Sequence, residues 1–431
     1  MRPYRQYTPD QAFLVPPALA DMIPAGDPVF FLREVLQRLD LDAFHRVYRC
    51  ERGQPPYHPE LMVGLYLYGA MRRTYSSRRL AELCTRDLAC IYLVGRATPD
   101  YHTIGEFRQR FTAELKDLFL QVLLLCREAG LVRLGHVSLD GTKLRANASK
   151  HKAMSYGRME QREAVLAAEI GGWFEQGKRE DLAEDAEHGP DDDGWSLPAE
   201  LKESSRRLEK IREGKARLEA QAREKAVAEG KDPASAVVAD RAQTNFTDPE
   251  SRIMHTPDGF QQCYNAQAAV DAESQVVVAC EVSAAPPDVQ RLRPMLKEIH
   301  QNSGRYPAQL SADAGYASEA NFAALNEANI HAVIALRRYH RDEPPGADPA
   351  PRRSSNRWPY RNEMRERLST AEGKASYKLR KQTVEPVFGQ IKSARGFRQF
   401  LRRGQVAVES EWSFLCTVHN LLKLQKAVAG A

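Results

Sequence analysis

Three carboxylates of this 431-residue chain stand where a fold could gather them. Asp140 lies inside an alternating run, VSLDGT. Asp313 closes a second run, LSADAGY, and Glu385 stands near the start of a helical segment, QTVEPVFGQIK. Carboxylates drawn together repel one another and raise their own pKa values. A pair of Mg²⁺ or Mn²⁺ ions removes that repulsion, and hard oxygen ligands suit those ions. Two such ions roughly 3.5–4 Å apart can activate an attacking oxygen and stabilise the leaving one, as in-line displacement at a phosphodiester requires. Taken singly, each residue has a plainer use. An Asp in or after a strand serves as a turn or cap residue, and a Glu early in a helix is favoured by the helix dipole.

The elements that must position these groups can be read from patterning. Residues 28 to 130 are expected to be helical. Pro59 suits a helix start, and LMVGLYLYGAM after it is apolar nearly all round, the mark of a buried helix. Thr103 and Glu106 have capping-box spacing, with Ile104, Phe107, Phe111, Leu115, Leu118 and Val122 at helical intervals behind them. The period then changes: HVSLDGTKLRA, 136–146, alternates like a strand. Residues 155–240 are rich in Glu, Lys, Arg and Ala. Leu201, Leu208, Ile211 and Leu218 form a partial heptad seam there, and an acidic stretch, EDAEHGPDDDG, reads as a loop between two helical parts. From 260 onward strands (CYNAQAAV, SQVVVACEVS, AQLSAD, HAVIAL) alternate with helices (DVQRLRPMLKEIHQN, SEANFAALNEAN). Residues 341–376, rich in Pro, Arg and Ser without an apolar period, are expected to be a mobile linker. Helix returns from about 377.

Composition narrows the class. A chain this long predicts more than one domain, and 42% hydrophobic residues supply a sizeable interior. The net charge is only +5, but from Lys378 to Arg403 eight Lys or Arg accompany one acidic residue, Glu385. Such local asymmetry suits a phosphate-tracking surface, and equally a solvated basic face. Seven cysteines, none in C-x2-C spacing, read as reduced and mostly buried thiols of a cytoplasmic protein. The proline-broken start MRPYRQYTPDQAFLVPPALADMIP does not read as a secretory signal, and no stretch of 18 apolar residues is present. P-loop, G-x-S-x-G and HExxH motifs are absent, and His255, His331 and His419 are scattered and read as structural.

Longer words carry a specific resemblance. YHPELMVGLYLYGAMRRTYSSRRLAELCTRD and PDYHTIGEFRQRF resemble the N-terminal helical domain of bacterial insertion-sequence DDE transposases. DGTKLRANAS, TDPESRIMHTPDGFQQCYNAQAAVD, ADAGYAS and VEPVFGQIKSARGFRQF resemble, in order, that family's catalytic segments. The matches run from about residue 57 to about residue 420.

The resemblance implies an α/β ribonuclease H-like catalytic core, a mixed sheet flanked by helices, with an all-α N-terminal domain and a helical insertion after the first core strand. The expected division is an N-terminal DNA-binding domain at 1–132, the first core strand within 133–150, the insertion at 155–240 and the core at 241–340. The linker at 341–376 and a C-terminal helical part at 377–431 follow. The resemblance makes Asp140, Asp313 and Glu385 the catalytic carboxylates and ligands of Mg²⁺ or Mn²⁺, two ions in all. The substrates would be transposon terminal inverted repeats and target DNA, cut and then joined through freed 3′-hydroxyls by a homodimer or larger assembly in the nucleoid. A catalytically inactive DNA-binding copy and a ribonuclease H-like nuclease are the alternatives.

Related transposases carry Tyr-x2-Arg-x3-Glu-x6-Lys around the last carboxylate. Glu385 and Lys392 keep its spacing, and Tyr377 and Arg380 keep theirs, but four residues separate Arg380 from Glu385 and Lys381 would restore the count. Lys392, Arg395, Arg398 and Lys143 are further candidates for phosphate contact. Arg72, Arg73, Arg78 and Arg79 flank a short helix that could enter the major groove.

Overall fold

The computed structural model describes residues 18–48, 55–188, 199–337 and 358–430. Seven helices come first: α1 (Pro28–Arg38), α2 (Asp42–Val47), α3 (Pro59–Met71), α4 (Ser77–Arg86), α5 (Leu88–Leu93), α6 (Tyr101–Arg110) and α7 (Thr112–Glu128). Pro59 opens α3, and Met62 to Ala70 are buried without interruption, as an all-round apolar helix must be. The capping-box expectation at Thr103 is corrected. Asp100 is the cap, its carboxylate accepting from the backbone N–H groups of His102 and Thr103 at 2.8 and 3.1 Å. An Asp one residue ahead of the helix reaches those donors directly.

The second half is built on a six-stranded mixed sheet. Its strands are β1 (His136–Arg145), β4 (Arg252–Thr256), β5 (Gly259–Asp271), β6 (Val277–Ser283), β7 (Gln309–Ala312) and β8 (His331–Ile334); β2 (Ala153–Ser155) and β3 (Gln243–Asn245) form a separate two-stranded ladder. β1 is central. It runs antiparallel to β5, parallel to β7, and β7 continues parallel to β8. On its other edge β5 pairs with both β4 and β6. The short strand β4 falls in RIMHT, where only five residues alternate, and no strand is expected there from sequence.

Between β1 and β5 in the chain lie α8 (Tyr156–His188) and α9 (Ala199–Ala228). Leu208, Ile211 and Leu218 of the expected seam pack with Met159 and Leu166 as a small core of their own. Glu163 pairs with Arg212 and Lys215 while the earlier Tyr156 donates to the later Glu219, so the two helices run antiparallel. The stretch expected as a loop is helical over its first part, since α8 runs on to His188; the rest of it, 189–194, lies outside the described residues, as do 338–357.

α10 (Leu292–Ser303), α11 (Glu319–Glu327), α12 (Pro359–Ser369), α13 (Ala371–Gly389) and α14 (Gln405–Ala429) complete the chain. The linker expectation is therefore corrected over its second half. Pro359 at the first turn starts α12, and Met364 and Leu368, four apart, bury one face of it. A face that narrow leaves little periodic signal in an Arg-rich segment.

α14 binds the two halves. Its Ser410 and Ser413 hydroxyls donate to the Thr112 and Lys116 carbonyls of α7 at 2.6 and 3.1 Å. The buried Asn420 side chain serves the edge of β6, accepting from Val277 N–H and donating to Val277 C=O, both at 2.8 Å. One apolar core runs without a break from the N-terminal helices through α14 to the sheet. The six described cysteines are buried and unbridged. No described helix is long and apolar enough to cross a membrane.

Candidate active site

Strand register brings the first two carboxylates together. Leu139 and Ala312 are the last paired residues of β1 and β7, so Asp140 and Asp313 follow side by side at one end of adjacent parallel strands. Asp313 also keeps the plainer role, its Oδ1 accepting from Gly315 N–H at 2.8 Å to cap the short turn Ala314–Tyr316. The third carboxylate arrives on α13, which packs on β1, β5, β7 and β8 through buried Val384, Val387 and Phe388. Pro386 sits inside that helix and deprives the Gln382 carbonyl of its N–H partner. The Gln275 side-chain amide donates to it instead, at 2.9 Å, so the helix persists through Glu385.

A guanidinium stands among these groups. Arg380 Nη1 donates to Asp140 Oδ2 at 2.7 Å, and Nη2 lies 3.5 Å from Glu385 Oε1. The extra residue between Arg380 and Glu385 is thus accommodated, and Arg380 rather than the exposed Lys381 faces the carboxylates. The arginine also lies over the Tyr377 ring, 5.7 Å from its centroid. Burial pushes Asp140 up to about 7, Arg380 opposes that rise, and Asp313 and Asp288 add to it. Burial works against the charge on Arg380, but Asp140, Tyr377, Asp313 and Glu385 together hold its pKa above the ordinary value.

A fourth carboxylate, missed in the sequence, completes the cluster. Asp288 sits in the loop between β6 and α10. Its Oδ1 accepts from the Asn265 side-chain amide and, at 2.8 Å, from Gln267 Nε2, and lies 3.5 Å from Lys143 Nζ. Asn265 and Gln267 are opposite Lys143 and Gly141 in the β1–β5 ladder. That packing explains the glycine of DGT: a β-carbon at Gly141 would meet Asp288 Oδ1 at 2.7 Å and Asn265 Oδ1 at 2.9 Å. Tyr316 closes the floor by donating to Gln267 Oε1. Asn265 and Gln267, buried polar side chains among the apolar residues of β5 together with Gln262 and Asp271, are the trace this residue leaves in the sequence.

The other basic candidates are distributed differently. Lys392, in the π turn Gln390–Ala394 that ends α13, turns inward to Thr142 and donates to the Lys143 carbonyl at 2.9 Å. Burial lowers its pKa. Lys143 donates to Pro286 C=O at 2.8 Å besides facing Asp288. Arg395 is a correction. It is 7% exposed, and its guanidinium donates to His419 Nδ1 at 3.0 Å, so it is no surface phosphate ligand. Arg402 and Arg403 are tied to Thr112 and the Asn147 carbonyl. Lys378, Lys381 and Arg398 are exposed. In the N-terminal half, Arg72 approaches Asp87 at 3.8 Å, Arg78 lies over the Tyr101 ring, and Arg73 and Arg79 are exposed.

Among the described residues no three acidic, His or Cys side chains are drawn close enough to enclose an ion. The donor set nevertheless suits a hard divalent cation. It consists of carboxylates, the buried Asn265 Oδ1 beside them has no hydrogen-bond donor, and the position between Asp140 and Glu385 already holds a cationic group.

Comparison with known proteins fits this geometry. Residues 235–421 match the transposase DDE domain, and residues 17–110 match a transposase domain (DUF772). The two matches together are consistent with a DDE transposase of insertion-sequence type. The mixed sheet with flanking helices and the helical N-terminal region fit a ribonuclease H-like transposase. The first match spans Asp313 and Glu385, whereas Asp140 precedes it. No curated protein and no solved structure matches the chain.

Proposed function

We propose that the protein cleaves DNA at the ends of an insertion sequence and joins the 3′ ends to target DNA, with Asp140, Asp313 and Glu385 as the metal-holding carboxylates. The observation that carries this reading is that Asp140 and the helix-borne Glu385 share one cation, Arg380, while strand register sets Asp313 beside Asp140. Mg²⁺ or Mn²⁺ held there would supply charge neutralisation for the attacking and leaving oxygens of the phosphodiester. The chain's own residues set the geometry. Asn265, Gln267 and Lys143 fix Asp288, Gly141 admits that packing, and Pro386 with Gln275 hold α13 where Glu385 faces Asp140.

In this reading the N-terminal helices bind the DNA ends, with exposed Arg79 and the Arg78–Tyr101 stack on the α4 side. α8 and α9 form an insertion in the catalytic core, and two or more copies assemble on paired ends. Exposed Lys378, Lys381 and Arg398 are the phosphate contacts nearest the site. The test is a labelled duplex carrying the element's terminal repeat, incubated with Mg²⁺ or with EDTA. A metal-dependent cut mapped to the repeat boundary is expected. Preferential cutting of RNA–DNA hybrids would contradict the DNA-end assignment, and binding without any cut would contradict the catalytic one.

A further inference from the structure

Arg380 holds two of the three carboxylates that the proposed reaction needs. One guanidinium spans Asp140 Oδ2, at 2.7 Å, and Glu385 Oε1, at 3.5 Å. Asp140 Oδ1 meanwhile accepts from Gly141 N–H at 2.8 Å, so both oxygens of that carboxylate are engaged. The arginine side chain is only 12% exposed and its Nε is buried without an acceptor. A guanidinium so placed is stabilised by the anions around it and is incompletely satisfied by them. A divalent ion would require the same oxygens, and two cations a few ångströms apart in a poorly solvated pocket repel strongly.

We propose that Arg380 is the resident counter-ion of the carboxylate site, and that it must leave Asp140 and Glu385 before a divalent ion binds there, drawn off by a phosphate of the DNA backbone. The inference rests on the metal-dependent reading above. Phosphate is the partner of matching chemistry, since it accepts from a guanidinium through two oxygens as a carboxylate does. The exit is on the right side. Glu385 is about half exposed, at 48%, and the exposed Lys378 and Lys381 stand on the same helix. DNA and metal binding are then coupled through one side chain, and each strengthens the other by the same factor. The chain away from DNA keeps its cutting site loaded with an arginine in place of a metal.

The experiment titrates the full-length protein with Mn²⁺ alone and reads free Mn²⁺ by electron paramagnetic resonance. The parent is compared with Arg380→Met, Arg380→Gln and Asp140→Asn, and each titration is repeated with a short duplex. Removing one partly screened charge predicts that Arg380→Met and Arg380→Gln bind Mn²⁺ about tenfold or more tightly than the parent without DNA. The duplex should tighten Mn²⁺ binding by the parent more than by either variant. Unchanged or weaker Mn²⁺ binding by both folded Arg380 variants overturns the proposal, because the arginine would then be ordering the carboxylates. Mn²⁺ binding unaffected by Asp140→Asn instead overturns the metal-site reading itself, and so separates the two failures.

Discussion

Arg380, on α13, and Arg395, just past the π turn that ends it, are both largely buried and come from the same basic run, yet their surroundings are opposite in sign. Arg380 meets carboxylates, Asp140 and Glu385, in a pocket that opens to solvent at Glu385. Arg395 meets a neutral partner: its guanidinium donates to His419 Nδ1, and the His419 Nε2 side faces the Gln275 carbonyl at 2.8 Å. Its own carbonyl accepts from Tyr75 of the N-terminal half at 3.2 Å. Burial lowers the pKa of Arg395, while surrounding anions raise that of Arg380. A buried arginine without an anion ties elements together, and one among anions can exchange them for others. That difference is what separates a structural seam from a site.

The comparison can be broken at several points. Asp288→Asn keeps shape but removes a charge beside the triad. Cleavage should fall roughly 10–100-fold, as for groups that orient metal ligands, with little change in melting temperature. An unchanged rate would make Asp288 a packing residue. Arg395→Met should act oppositely, costing about 1–3 kcal/mol of stability in a denaturant melt through the lost buried hydrogen bond to His419. DNA affinity should stay unchanged, and a loss of affinity in the folded variant would return Arg395 to the DNA surface.

His419 sharpens the structural side. Burial, then Arg395, pushes its pKa down from the ordinary 6.5 to about 3. The unfolded chain therefore binds a proton that the folded one refuses, so stability present above about 6.5 is lost as pH falls toward about 3. His419→Gln should flatten that part of the stability–pH curve, and an unaltered curve would remove His419 as its cause. The smallest effects belong to the exposed residues. Lys381→Ala and Arg398→Ala should each reduce the salt-dependence slope of DNA binding by about 1, and Arg395→Met should leave it alone.

Much of the catalytic half was legible because strand alternation and helical period survive in it: β1, β5, β6, β7, β8, α10 and α11 all fall on expected runs. The three carboxylates were singled out through the words around them, and the structure sets Asp140 and Asp313 at neighbouring strand ends with Arg380 between Asp140 and Glu385. Asp288 was not, since a lone Asp after two prolines reads as the start of a helix, and only strand register shows Asn265 and Gln267 aimed at it. The basic run misled for a related reason. Charge counted along a chain takes no account of direction, and Lys392, Arg395 and Arg402 turn inward to oxygen or nitrogen acceptors. α12 was hidden because its buried stripe is two residues wide.

The most direct measurement is Mg²⁺-dependent cleavage of a terminal-repeat duplex by Asp140→Asn, Asp313→Asn and Glu385→Gln, with duplex affinity measured on the same preparations. Each variant should lose cleavage by at least about 10²-fold while still binding the duplex. Full cleavage by any one of the three would contradict the assignment of that carboxylate, and with it the shared site.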